Sequence, residues 1–521
     1  MAEIRIQNLS FYYEGSYDDI FREVSLHLDT DWKLGLIGRN GRGKSTLLHL
    51  LMNKYEYTGK IFSPVRFDYF PKEVPFPERE VRDVASALYP EYQEWKLLRE
   101  LSLMDMDPAL LGRTFNTLSP GERTRILIAL MFSFDEQFPL IDEPTNHLDF
   151  QAREMVQAYL QKKKGFILVS HDRSFLDACI DHVLAINKTT IEISRGNFSV
   201  WWNNKENRDK FETAENKKLS QEIADLQEAQ RRARGWSDQA EKSKFGGKVP
   251  DRGYIGAKSA KMMKRAKVIE RRKEAAAKQK QTLLKDIESV ESLKIHPLTH
   301  AKETLLHLEN LSLFYGEKKV CRELSFDIRN GDRVVLRGRN GSGKSTLIRK
   351  ILGEEIRSSG KIEKAPGLFI SYISQDTSHL QGSLKDHCRR RGIDESLLKT
   401  ILRKLDFQRL QFEKEIQDYS EGQRKKVLIA SSLCERAHLY IWDEPLNYID
   451  VFSRIQLENL LQNYAPTLLL VEHDRLFTET LGTVFIDLDP ISALPNQWEY
   501  TNAFTRKVKP CDEKEEPFSF F

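Results

Sequence analysis

Gly38-Arg39-Asn40-Gly41-Arg42-Gly43-Lys44-Ser45-Thr46 returns 300 positions later as Gly338-Arg339-Asn340-Gly341-Ser342-Gly343-Lys344-Ser345-Thr346. Both stretches fit G-x-x-x-x-G-K-[ST], follow a short apolar run (Leu34 to Ile37, Val334 to Leu336) and lead into a helix-forming one. In that setting glycines turn backbone N–H groups onto phosphates and the helix N-terminus adds its dipole. Lysine then meets the β/γ-phosphates and the serine hydroxyl reaches Mg²⁺. One such glycine turn arises by chance; two with the same flanks do not.

Two further segments repeat. Ile141-Asp142-Glu143-Pro144-Thr145-Asn146-His147-Leu148-Asp149 returns as Trp442-Asp443-Glu444-Pro445-Leu446-Asn447-Tyr448-Ile449-Asp450, offset 301, and Ser170-His171-Asp172-Arg173 as Glu472-His473-Asp474-Arg475, offset 302. Near-constant offsets mean one domain written twice, each copy about 200 residues long. We place the copies at 1–203 and 295–521, with 204–294 between them. Apolar strand-like runs alternating with helical stretches predict an α/β fold with a largely parallel sheet. Asp142 and Asp443 end apolar strands, which suits a carboxylate held out to a metal-bound water. Glu143 and Glu444 are the candidate general bases, and His171 and His473 the candidate contacts to the γ-phosphate.

Composition narrows the setting. With 40% hydrophobic residues the 521-residue chain has core enough for several domains. No apolar run approaches the roughly 18 residues of a membrane span, so no transmembrane domain is expected. Five scattered cysteines, and an N-terminus without an export signal, suit a reducing cytoplasm.

The repeated motifs resemble those of the ATP-binding-cassette ATPases. The family's signature loop looks like Leu118-Ser119-Pro120-Gly121-Glu122 in copy one and Tyr419-Ser420-Glu421-Gly422-Gln423 in copy two. The resemblance implies a head-to-tail cassette dimer formed within one chain, with two molecules of ATP and Mg²⁺ sandwiched between the copies. Site one would join Lys44, Asp142, Glu143 and His171 to Ser420 and Gly422; site two would join Lys344, Asp443, Glu444 and His473 to Ser119 and Gly121. Tyr13 and Tyr315 match the aromatic that stacks on adenine. Gln375 matches the glutamine beside the metal in copy two, where copy one has Lys72. A cation cannot accept a metal-water hydrogen bond as an amide oxygen does. That difference, with Glu421 at site one and Pro120 at site two, predicts slower hydrolysis at site one; the alternative is that the two signature positions face away from ATP and vary freely.

Residues 205–294 carry 24 Lys and Arg against 15 Asp and Glu, a net of +9, whereas the rest of the chain sums to −5. Both ends of this insert read as helical. Positions 262, 266, 269, 273, 276, 280, 283, 287 and 290 repeat at alternating spacings of four and three and are mostly apolar, with Leu219, Ile223, Leu226 and Ala233 as a partner stripe. Gly235, Gly246, Gly247, Pro250, Gly253 and Gly256 are expected to break the helix. The prediction is an antiparallel coiled-coil hairpin with an irregular tip at about 234–260. Its basic residues Arg234, Lys242, Lys244, Lys248, Arg252 and Lys258, followed by Lys261, Lys264 and Arg265, suit phosphates; Trp236, Phe245 and Tyr254 suit stacking on unpaired bases. Charge runs are more often solvated helix faces, but a spacer needs no aromatic glycine-rich tip.

Two cassettes around a charged hairpin resemble the ABC-F family, and within it the Lsa and Vga group of antibiotic-resistance proteins. Leu34 to Lys44, Phe138 to Asp149, Ile255 to Arg265 and Tyr440 to Tyr448 carry the likeness. It implies binding to the ribosome near large-subunit rRNA and tRNA in the exit region, and protection against lincosamides, streptogramin A compounds and pleuromutilins. A housekeeping factor for stalled ribosomes is the alternative within the family; the energy-coupling subunit of a transporter is the alternative outside it.

Overall fold

The computed structural model describes residues 2–14, 19–134, 136–146, 148–187, 190–242, 292–316, 318–488 and 505–506. The chain divides into two units, Met1–Ser199 with Val290–Phe521, and Val200–Ser289. In copy one the strands are β1 Glu3–Phe11, β2 Phe21–Asp29, β3 Lys33–Gly38, β4 Thr58–Phe62, β5 Arg66–Phe70, β6 Gln137–Asp142, β7 Phe166–Val169, β8 His182–Ile186 and β9 Ile191–Arg195. They form a small antiparallel sheet, order β2-β1-β4, and a six-stranded sheet, order β5-β6-β7-β3-β8-β9, parallel except for β9. Copy two repeats this with β10 Thr304–Tyr315, β11 Lys318–Arg329, β12 Arg333–Arg337, β13 Ser358–Lys364, β14 Ile370–Ile373, β15 Leu439–Asp443, β16 Leu468–Val471, β17 Val484–Asp487 and β18 Thr505–Arg506. Its sheets run β11-β10-β13 and β14-β15-β16-β12-β17-β18.

The central strands are apolar throughout because each parallel sheet is covered on both faces. Alternate residues serve different cores. In copy two Val334, Leu336, Ile441, Leu469 and Val471 meet the antiparallel sheet and the helix Lys344–Leu352. Val335, Tyr440, Trp442, Leu468 and Leu470 meet the helices Glu395–Lys404, Glu421–Cys434 and Val451–Tyr464. The sheet therefore carries Asp142 and Asp443 to the ends of β6 and β15, beside the turn that follows β3 or β12. Those turns end on left-handed Gly43 and Gly343, where a Cβ would strike Ile20 and Phe21 or Val320.

The insert begins as a 45-residue helix, Phe198–Lys242, long enough to extend about 68 Å. Two expectations need correction here. The helix starts before residue 204, and it runs through Gly235, because one glycine in a long helix costs only about 1 kcal/mol. Arg234, Trp236 and Lys242 thus lie in the helix rather than in an irregular tip. Lys244, Phe245, Lys248, Arg252, Tyr254, Lys258, Lys261, Lys264, Arg265 and the second coiled-coil arm lie outside the described residues. No described helix is long and apolar enough to cross a membrane.

Asp450, at the start of the helix Val451–Tyr464, is fully buried and accepts from Lys426 Nζ at 2.9 Å and from the Ser453 hydroxyl and N–H at 2.9 and 3.0 Å. Burial works to raise its pKa, but the Lys426 ammonium and these hydrogen bonds hold it well below the carboxylate range. Its stabilising contribution is therefore complete above the unfolded value near 3.9 and is lost as pH falls through the lower folded value. Asp450→Asn, which leaves Lys426 without a counter-ion, is expected to cost about 3 kcal/mol at neutral pH in urea unfolding, with the gap to wild type closing below about pH 4.

Candidate active site

Two cavities lie where the copies face each other. The first, about 390 Å³, is lined by Asn40, Gly41, Gly43, Lys44, Ser45, Thr46, Asp142, Glu143 and His171 of copy one and by Ser420, Glu421, Gly422 and Tyr448 of copy two. The second, about 400 Å³, brings Tyr315, Asn340, Gly341, Gly343, Lys344, Ser345, Thr346, Gln375, Glu444 and His473 of copy two to Pro120, Asn146, Leu148 and Arg153 of copy one. Each phosphate-type loop thus meets the loop of the opposite copy. The positions Pro120 and Glu421 face the cavities, whereas Ser119 and Gly121 do not line site two. Ser119 caps its helix, accepting from Glu122 N at 3.2 Å, as Ser420 caps the helix that closes site one. Tyr13 lies outside the first cavity's lining; its hydroxyl pairs with Thr46 Oγ1 at 2.8 Å.

Gly38 and Gly338 supply backbone carbonyls. Lys44 Nζ donates to Gly38 O at 2.8 Å and Arg39 O at 3.2 Å, and Lys344 Nζ to Gly338 O at 2.8 Å and Arg339 O at 3.0 Å. Burial pulls both ammonium pKa values down. Ser45 Oγ donates to Asp142 Oδ2 at 2.7 Å. Asp443 pairs with Ser345 in the same way, and burial still lifts its pKa to about 6.

Glu143 and Glu444 both follow a strand end in left-handed conformation, φ 51° and 47°, with their N–H groups bonded to Val169 O and Val471 O at 2.9 Å. Holding a bulky residue there costs about 1–3 kcal/mol, and the same strain in both copies marks the site. Their surroundings then diverge. Burial, with Asp142 alongside, pushes the Glu143 pKa up; His171 Nε2 stands 3.3 Å from its Oε1. Burial pulls His171 well down, so it is neutral near pH 7. Burial also works to raise Glu444, but His473 and Asn447 hold it below the ordinary value. Glu444 Oε2 accepts from Gln375 Nε2 at 2.8 Å and Asn447 Nδ2 at 2.7 Å.

Both Glu143 carboxylate oxygens, Asp443 Oδ1 and His473 Nε2 are buried without a hydrogen-bond partner among the described residues. Such atoms need satisfying, and a phosphate with a hydrated, oxygen-liganded cation fits that requirement. The residues present therefore suit a nucleotide with Mg²⁺.

Several functional side chains were not foreseen from sequence. Lys72 turns away from site one, pairing with Asp68 and lying 4.4 Å from the Tyr89 ring centre. Tyr69 reaches Asp142 Oδ2 instead, at 3.1 Å. Arg454 donates to Ile449 O and Leu446 O at 2.9 Å and to Asp474 at 3.2 Å. Arg153 does the same for Leu148 O, Thr145 O and Asp172 at 3.0, 3.1 and 3.2 Å. Their shared position, four residues after Asp149 and Asp450, was the available signal. Between the clamped carbonyls of copy two, Tyr448 O accepts from Asn40 Nδ2 of copy one at 2.9 Å.

Residues 21–146 and 321–447 match the family model described as ABC transporter. The chain is 28% identical over 493 residues to the ribosome protection protein VmlR of Bacillus subtilis, covering 91% of this chain and 85% of that one. It is 27% identical over 490 residues to the ATP-binding protein Uup of Caulobacter vibrioides, covering 90% and 75%. The fold matches that of the archaeal ribosome recycling factor aABCE1, solved with the stalk protein aP1, with TM-score 0.57, 19% identity and coverage of 88% and 84%.

Two expectations follow from this geometry. A Cβ at Gly422 would lie 2.6 Å from Tyr448 O, whereas one at Gly121 would meet Leu148 and Ala152 at ordinary contact distances, 3.7 and 3.8 Å. Gly422→Ala is expected to slow turnover about tenfold and Gly121→Ala less than about twofold, measured as steady-state ATP hydrolysis. In single-turnover assays Glu444→Gln is expected to remove more of the total hydrolysis than Glu143→Gln; equal losses would refute the slower first site.

Proposed function

The chain belongs to the ABC-F family of ATP-binding-cassette ATPases, and from that premise we propose that ATP closes its cassettes and presents the inserted hairpin to the ribosome. There the hairpin protects the peptidyl-transferase centre against lincosamides, streptogramin A compounds and pleuromutilins. The observation that carries this reading is the pairing of two composite sites inside one chain with an insert between the copies that begins as a long helix and whose sequence carries a net charge of +9. Similarity to a ribosome protection protein over 91% of the chain supports it. The place of action is the cytoplasm, with the chain working as a monomer near large-subunit rRNA and exit-site tRNA.

Within each site the roles follow from the chemistry. Lys44 and Lys344 with their loop N–H groups bind the β/γ-phosphates. Ser45 with Asp142, and Ser345 with Asp443 and Gln375, would hold Mg²⁺, which supplies charge neutralisation on the phosphates. Glu143 and Glu444 orient water and take its proton; His171 and His473 hold the terminal phosphate. Gly422 and Ser420, and Pro120 opposite, close each site from the other copy. Tyr13 and Tyr315 would flank the adenine.

A second reading rests on the nearly equal similarity to Uup, 27% identical over 90% of this chain, whose name assigns it no protective role. On that reading the protein is a general factor for stalled ribosomes. One experiment separates the two. In a susceptible bacterium, the Glu143→Gln, Glu444→Gln double variant is expected to accumulate on ribosomes in co-sedimentation, and the wild type to raise the inhibitory drug concentration. A variant that stays off ribosomes refutes both readings; accumulation without any drug effect leaves the general factor. Replacing Phe245 to Pro250 is expected to abolish protection while sparing ATP hydrolysis, and retained protection would move the effector elsewhere.

A further inference from the structure

Lys425 lies in the second turn of the helix Glu421–Cys434, whose N-cap Ser420 and early Gly422 line site one. Its side chain runs away from that site. The side chain is buried, and its ammonium donates to Ser374 O at 2.9 Å, Asp443 O at 3.3 Å and Gln375 O at 3.4 Å. Those carbonyls flank the catalytic carboxylate of the other site. Gln375 holds Glu444 through its amide, and Asp443 directly precedes Glu444 in the chain. One side chain thus joins the helix that closes site one to the two segments that hold Glu444 in site two.

Copy one has no equivalent. Matching the helices on Ser119 and Ser420 places buried Thr124 opposite Lys425, and a threonine has one hydroxyl donor on a short stem. Core packing does not require a cation here, since methionine of similar length would fill the space without a charge to desolvate. Burial pulls the Lys425 pKa down to about 8, with Asp443, Glu472, Glu444 and Glu421 working against it, so the side chain remains mainly charged at neutral pH.

We propose that Lys425 is a positioning residue for hydrolysis at site two, and that through it the seating of the Ser420–Gly422 turn on nucleotide in site one sets the placement of Gln375 and Glu444. This rests on the two-site reading above. The link is present once: Lys425 joins the helix that closes site one to the segments that hold Glu444, and Thr124 offers no matching link from the helix that closes site two.

The test separates the sites. In a Glu143→Gln background hydrolysis reports site two, and in a Glu444→Gln background it reports site one. Lys425→Met is expected to slow single turnover at site two about tenfold while leaving site one, and the affinity of each site for a fluorescent ATP analogue, within about threefold. Lys425→Gln, which keeps a donor on a neutral side chain, is expected to recover part of the lost rate. Equal loss at both sites, loss of affinity without loss of rate, or no change at site two would overturn the proposal. If Lys425→Met fails to fold, Lys425→Gln decides: turnover at site two equal to that with lysine overturns the proposal, and a selective slowing supports it. Hydrolysis persisting in the Glu143→Gln, Glu444→Gln double variant would instead discredit the two-site reading itself.

Discussion

The carbonyl of Tyr448 in copy two takes the amide of Asn40 in copy one at 2.9 Å, and the neighbouring position 422 has room for hydrogen alone. The rest of the active architecture depends on that contact. A phosphate-binding loop supplies donors from one side only, so each site is half-built until the opposite copy arrives in register. Arg454 keeps Tyr448 in place by gripping the carbonyls on both sides of it and tying them to Asp474, next to His473. The ion pair of Arg173 with Glu458, both largely buried, holds the copies together in the same region. By contrast Arg475 and Glu154, exposed and 3.6 Å apart, contribute little.

Duplication supplied two sites with the same plan, and substitution then made their chemistry unequal. The paired glutamates occupy the same left-handed turn, yet Glu444 receives two amide donors where Glu143 has His171 at 3.3 Å and no hydrogen-bond donor among the described residues. Burial, with Asp142 alongside, pushes Glu143 up, whereas at Glu444 burial is outweighed by the His473 contact, ahead of the Asn447 amide. The two groups are consequently pushed in opposite directions from the same ordinary value. Lys72 and Tyr69 in copy one, against Gln375 in copy two, are part of the same divergence.

The strands, the glycine loops and the acidic strand ends were readable because they rest on local rules. Apolar runs mark strands covered on both faces, and Gly43 and Gly343 combine a positive φ with no room for a Cβ. The expected helix break at Gly235 failed because propensity is a small term in a helix 45 residues long. Arg153, Arg454, Lys425 and Tyr69 were not foreseen, although the matched places of Arg153 and Arg454 after Asp149 and Asp450 were a signal. The first three act mainly on backbone carbonyls, which every residue type presents equally, and Lys425 reaches segments some fifty positions away in the chain.

The sequence by itself determined that the chain is a duplicated nucleotide-binding domain with its excess positive charge, +9, concentrated in the insert. Those properties are written in spacing and composition, which need no contact between distant residues. Only the tertiary structure decided that Lys72 leaves site one, that Pro120 and Glu421 face the nucleotide cavities, and that Lys425 spans from one site's helix to the other's loops. Such facts depend on which backbone carbonyls and buried side chains a fold brings within about 3 Å of one another, and a linear order of residues does not carry that distance.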